Sequence, residues 1–132
     1  MTFMIAATIA ATALSGIPID PTNVGAASYY DASYDHGGWA HIIQRRKGWG
    51  QLPEDFVPNE RGYFCAHPDL PFGTRLHVMN AITGDEIVCQ VVDRVAPADV
   101  PHWRSKWVIE MSYCAFVAAG GQAFNRFVVY PE

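Results

Sequence analysis

Basic residues are scarce and come late in this chain: none precedes Arg45, and the 132 residues carry nine Lys and Arg against thirteen Asp and Glu. The resulting net charge of -4 excludes a general nucleic-acid binder, because phosphate contacts need a basic face. The one basic run, Arg45-Arg46-Lys47, reads as the solvated face of a short helix, against the alternative of a patch for phosphate or an anionic glycan. Cysteine is sparse as well. Cys65, Cys89 and Cys114 show no C-x-x-C spacing and no H-E-x-x-H occurs, so a zinc site gathered from Cys65, His67, His77 and Cys89 has no motif behind it, and no metal or cofactor is expected. Cys114, inside an Ala-rich helical stretch, is expected to be an inert thiol rather than a nucleophile. The apolar stretch from Phe3 to Ile17 is too short and too rich in Thr and Ala to read as a membrane span.

What is present is a chain half hydrophobic in composition, enough for one domain with a single buried core and incompatible with disorder. Ala11-Thr12-Ala13 has the small-x-small form of a signal-peptidase site, but the basic n-region of a secretory signal is missing. Two readings of the first residues stand side by side: an export signal, or a retained helix that packs on a partner protein or membrane, as in a virus particle. The Pro-rich run Ile17-Pro18-Ile19-Asp20-Pro21 breaks any helix begun upstream. The chain therefore divides into an apolar segment with its linker, 1–24, and a domain, 25–132.

Within the domain, Gly25–Tyr30 reads as a strand. Trp39, Ile42 and Ile43 recur at helical spacing and predict a short helix from Trp39 to Lys47, closed by Gly48. Gln51–Arg61 is irregular surface chain. Thr74–Met79 alternates, with Leu76 and Val78 on one face, and predicts a half-buried strand. Asn80–Asp85 is a hairpin connection, with Gly84 free to take positive φ. Glu86–Val92 is apolar on both faces, so it lies deep in a sheet and delivers Asp93 at its end. Val95–Lys106 is read as a loop, Trp107–Met111 as a strand, and Tyr113–Ala119 as a helix capped by Ser112 and ended by Gly120-Gly121. Phe124–Tyr130 closes the sheet. The total is several short strands with one or two short helices.

Four stretches match a known pattern in motif, order and spacing: Gly25-Ala26-Ala27-Ser28-Tyr29-Tyr30-Asp31; Ala66-His67-Pro68-Asp69-Leu70-Pro71-Phe72-Gly73-Thr74; Val91-Val92-Asp93-Arg94; and Val108-Ile109-Glu110-Met111-Ser112. Together they resemble the rare lipoprotein A family, whose fold is a six-stranded double-psi β-barrel related to expansins and to the barrels of some lytic transglycosylases. The resemblance implies an all-β domain with a groove for the glycan strands of peptidoglycan; with the basic n-region missing, a phage virion component is expected as readily as a protein secreted out of the cytoplasm. It implies Asp93 as general acid/base and His67 as its helper. Arg94, Tyr30, Glu110, Trp103 and Thr74 are the candidate substrate contacts. Departures from the family pattern fall on the groove itself. Trp39–Arg61 replaces a Thr-Ala-x-Gly-Glu loop, Val92 stands for Asn, Val95-Ala96-Pro97 for Gly-Pro, and Glu110 for Asp. If the protein is exported, Cys65–Cys89 is the expected disulfide, since both cysteines fall on the predicted barrel; three buried thiols are the alternative.

A glycoside hydrolase uses two carboxyl groups, whereas a lytic transglycosylase works with one. Its acid protonates the glycosidic oxygen and the conjugate base then takes the proton of the C6 hydroxyl on the same N-acetylmuramic acid, closing a 1,6-anhydro ring. Because attacker and target share one sugar, orientation replaces the second group. Asp93, at the end of an apolar strand, is partly buried on this reading and suits the role, while Arg94 beside it stabilises the carboxylate unless its guanidinium turns to the glycan. Glu110 is a second carboxyl in a cap or groove-wall position. Tyr29, Tyr30, Trp39, Trp49 and above all Trp103 are the aromatic rings available to stack on sugars. The competing expectation is a wall-binding or structural barrel of the expansin kind that cuts nothing.

Overall fold

Six short apolar segments become strands that close on one another. The structure, a computed structural model, describes residues 23–30, 38–121 and 126–132. Its strands are β1 (Val24–Tyr30), β2 (Phe64–Ala66), β3 (Arg75–Asn80), β4 (Glu86–Asp93), β5 (Trp107–Ser112) and β6 (Phe127–Pro131), and they close a barrel in the order β1-β5-β2-β4-β3-β6. The contacts β1 with β5 and β2 with β4 are parallel; the other four are antiparallel. Strand β5 lies between the consecutive strands β1 and β2, and β2 lies between β4 and β5. Each crossover straddles a strand of the other, which is the double-psi arrangement. Exchanging β1, β2, β3 for β4, β5, β6 maps the ring onto itself, parallel contacts onto parallel ones.

Alternation decides what fills the barrel. Leu76 and Val78 of β3 are buried while Arg75 and His77 lie outside, and on β5 Ile109 and Met111 are buried with Glu110 between them facing the other way. Cys65, Val91, Phe127 and Val129 complete the interior. Helix α1 (Trp39–Gly48) covers the outside of the sheet, where Trp39, Ile43 and Leu52 bury Phe64 and Val92 in a second cluster. Burying these large apolar side chains stabilises the fold by roughly 1.5–3 kcal/mol each. Helix α3 (Tyr113–Ala118) closes one end of the barrel with Ala115 and Phe116. Asn80, fully buried, donates to the carbonyls of Ala119 and Gly120 at 3.1 Å and accepts from the amides of Ile82 and Thr83, fastening the hairpin to the end of α3.

Four details differ from the sequence-based expectation. Val95–Lys106 is largely helical: a 3-10 turn at Pro97–Asp99 leads into helix α2 (Val100–Arg104). Pro97 and Pro101 sit in first turns, where a missing N–H costs nothing, so these prolines start helices rather than prevent them. Three α-helices are present among the described residues, not one or two. Strand β2 was unforeseen, since three residues leave no periodicity to read. Ser112 precedes α3 with extended backbone but makes no side-chain cap; its hydroxyl donates to the Gly62 carbonyl at 2.7 Å and accepts from the Phe64 amide at 3.2 Å. The apolar segment over residues 1–22, the loop at 31–37 and Phe124 lie outside the described residues.

Cys65 and Cys89 form a disulfide inside the barrel, with Cα atoms 6.0 Å apart. This is the pairing expected of an exported chain, and it leaves Cys114 as the free thiol. The bond closes a loop of 24 residues, so chain entropy predicts a contribution of about 3 kcal/mol. Urea denaturation of Cys65→Ala/Cys89→Ala is expected to show a loss of that order, with a midpoint that no longer responds to reductant.

Candidate active site

Ala66 holds the centre of the site because it is the last residue of a strand paired on both sides. Across β2 and β5 it faces Glu110, and across β2 and β4 it faces Asp93. The Cα atoms of the two acids are therefore two strand spacings apart, about 10 Å. The β2–β4 register shifts between Cys65 and Ala66, with Val92 as the extra residue. That bulge re-aims Asp93 onto the outer face that α1 covers.

Arg46 of α1 meets it there. The Asp93 Oδ1 accepts from Arg46 Nε at 3.2 Å and from Nη2 at 2.5 Å, while Arg46 Nη1 donates to Gln51 Oε1 at 2.8 Å. Arg46 is no solvated helix residue; its side chain is 15% exposed. The signal was in the sequence. Position 46 continues the series Trp39, Ile42, Ile43 at a spacing of three, so Arg46 shares the buried face of the helix. The basic run distracted from that periodicity.

Arg94 turns away from Asp93. Its Nη1 donates to the carbonyl of His67 at 3.1 Å and to that of Leu70, and its guanidinium lies 4.2 Å from the Phe72 ring centroid. The cation on Asp93 is thus supplied by α1, not by the neighbour in sequence. His67 is tied locally too. Its Nδ1 accepts from the amides of Asp69 at 3.3 Å and Leu70 at 3.2 Å, which places the proton on Nε2. Asp69 Oδ1 also lies 3.3 Å from Nδ1, a contact that counts as an ion pair only for an imidazolium. Burial lowers the His67 pKa from the ordinary 6.5, so the neutral form with Nδ1 as acceptor is the one that fits. Asp69 instead accepts from Arg104 at 2.8 Å. Among the described residues no hydrogen bond joins the His67 ring to the Asp93 carboxylate; their link is the His67 amide donating to the Asp93 carbonyl at 3.3 Å.

Glu110 contrasts with Asp93. Among the described residues its carboxyl has no hydrogen bond or ion pair, and burial first, the charge of Asp93 second, push its pKa up from 4.5. Thr74 donates its hydroxyl to the Pro71 carbonyl at 2.6 Å and shapes the turn into β3. Tyr30 is exposed, packed edge-on against Trp39 at 5.7 Å. Trp103 and Trp39 are buried at 9% and 3% exposure and have no ring face for a sugar. Trp49, by contrast, is 62% exposed and carries Arg46 at 5.4 Å over its ring. A cleft of about 630 Å³ opens beside Arg46 and Arg94, lined also by Gln51, Pro68, Val100 and the chain from Val95 to Pro97; Glu110, Asp93 and His67 are not among its lining residues. No protein-family model matches the chain and no curated protein matches it.

The sign of the Glu110 effect is testable. A carboxyl raised in the folded state favours folding fully only below its ordinary value of 4.5 and loses that contribution as pH rises through the folded value. Glu110→Gln is therefore expected to melt higher than the native protein at neutral pH, with the advantage vanishing toward pH ~4. His67 works the other way: its neutral form is favoured, so stability falls as pH drops below 6.5. Thermal melts of both proteins across this range check the two slopes.

Proposed function

We propose that the protein cleaves the glycan strands of peptidoglycan as a lytic transglycosylase, with Glu110 as the proton donor and Asp93 as the charged partner. The supporting observation is the division of labour between two carboxyls flanking Ala66: one bonded twice by Arg46, the other desolvated and, among the described residues, without a hydrogen bond or ion pair. A pair of acids in environments this different is how an acid and a carboxylate are kept side by side at neutral pH. The donor role expected of Asp93 moves to Glu110, because an oxygen already accepting two guanidinium N–H bonds is poorly placed to give up a proton.

In this reading the Glu110 carboxyl protonates the glycosidic oxygen and the bond from C1 to that oxygen breaks. Positive charge spreads over C1 and the ring oxygen, facing Asp93, whose Oδ2 makes no hydrogen bond among the described residues. The C6 hydroxyl of the same N-acetylmuramic acid adds to C1 and gives its proton to Glu110, which restores the acid and leaves a 1,6-anhydro end. His67 is a positioning residue: its ring fixes the 67–70 turn, and its carbonyl anchors Arg94. The Cys65–Cys89 disulfide fits the oxidising compartment where such a substrate is met. The Arg46–Asp93 pair also supports a second reading, a wall-binding barrel in which that carboxylate only braces α1.

Mass spectrometry of purified peptidoglycan separates the two. The native protein is expected to release anhydro-muropeptides, and Glu110→Gln and Asp93→Asn to lose roughly 10²–10⁴-fold in rate. Reducing-end products would indicate a hydrolase, and bound but uncut sacculi would indicate the binder.

A further inference from the structure

The cleft beside Asp93 holds a cation, Arg94, with which no carboxylate pairs directly among the described residues. Arg94 lines it, held by the carbonyls of His67 and Leu70 and by the face of Phe72. Carbonyls satisfy N–H groups without neutralising the cation. The acidic side chains whose charges reach it, Asp69 and Asp93, are already engaged by Arg104 and Arg46. Three guanidiniums thus stand against two carboxylates, and among the described residues no carboxylate pairs with Arg94. Burial and the neighbouring Arg46 charge both act against the Arg94 cation. A rigid guanidinium kept in that position costs stability unless a guest repays it, and a planar fork with donors left over matches a carboxylate.

From this we infer that the cleft is an anion subsite in which Arg94, with Arg46 beside it, binds a carboxylate carried by the substrate polymer, so that the protein selects acidic over neutral glycans. The inference deepens the glycan-cleaving reading by naming what the sugar chain must bear. Two sources offer the same chemistry: the lactyl carboxylate of an N-acetylmuramic acid without its peptide, and the carboxylates of a stem peptide.

Calorimetric titration of the native protein with three tetrasaccharides tests it. The probes are a bare alternating N-acetylglucosamine–N-acetylmuramic acid chain, the same chain carrying L-Ala–D-Glu on its lactyl groups, and chitotetraose, which has no carboxylate. At least one acidic probe is expected to bind about tenfold or more tighter than chitotetraose at low salt, with an advantage that shrinks as salt rises; the tighter of the two identifies the source. Arg94→Gln should abolish that preference and Arg94→Lys should keep part of it. Since Arg94 also braces the 67–70 turn, each variant is accepted only with a native-like circular dichroism spectrum; if Arg94→Gln fails that check, the probe comparison and Arg94→Lys decide. Equal affinity for all three sugars would overturn the inference. Cleavage activity is scored separately, so anhydro products without acid preference would sink the subsite alone, whereas acid preference without cleavage would sink the catalytic reading alone.

Discussion

Hydrogen bonding on both edges of a three-residue strand is the constraint on which the rest of this molecule depends. Strand β2 is joined to β4 on one side and β5 on the other, so its three side chains have no freedom of direction. Cys65 goes inward to the disulfide, Phe64 goes outward under α1, and Ala66 is left between the two acids. Without this strand the parallel pair on one side and the antiparallel pair on the other have no common neighbour. The barrel then does not close, and Asp93 and Glu110 have no fixed relation. That so short a segment suffices reflects its burial: all three residues are nearly inaccessible to water, where unpaired backbone groups are most costly.

Electrostatic asymmetry around Ala66 follows from which elements happen to lie outside the sheet. Helix α1 covers β4 and brings Arg46 to Asp93, while Glu110 on β5 pairs with no cation among the described residues and burial raises its proton affinity. Arg94 is drawn into bracing the 67–72 segment. A change in the seating of α1 therefore acts on the chemistry of a strand it does not touch covalently.

The parts of this arrangement that were legible in the sequence were those with a period or a turn signal. The strands at 75–80 and 86–93 announced themselves by alternation and by apolar density. The hairpin between them has Gly84 at φ 80°, and the helix at 39–48 carried its 3-4 spacing. Family-like motifs led to the barrel and its topology. Three things were hidden. Strand β2 has no pattern, because its fate is decided by pairing with strands distant in sequence. The Pro97–Arg104 helices were masked by prolines, which are compatible with a first turn. Arg46 was concealed by company: its basic neighbours Arg45 and Lys47 suggested a solvated face, although its own position lay on the apolar side. Trp103 misled in the opposite way, since a tryptophan between prolines resembles a surface platform yet its ring is buried.

The ring of strands is unchanged when its first three members are exchanged with its last three, although the sequence carries no evident internal repeat. Each of the six pairings joins a strand of one half to a strand of the other, so neither half forms a sheet by itself. Two identical chains of three strands satisfy the same hydrogen-bond pattern as this single one. An ancestor of half the length, folding only as a homodimer, is geometrically sufficient for this architecture.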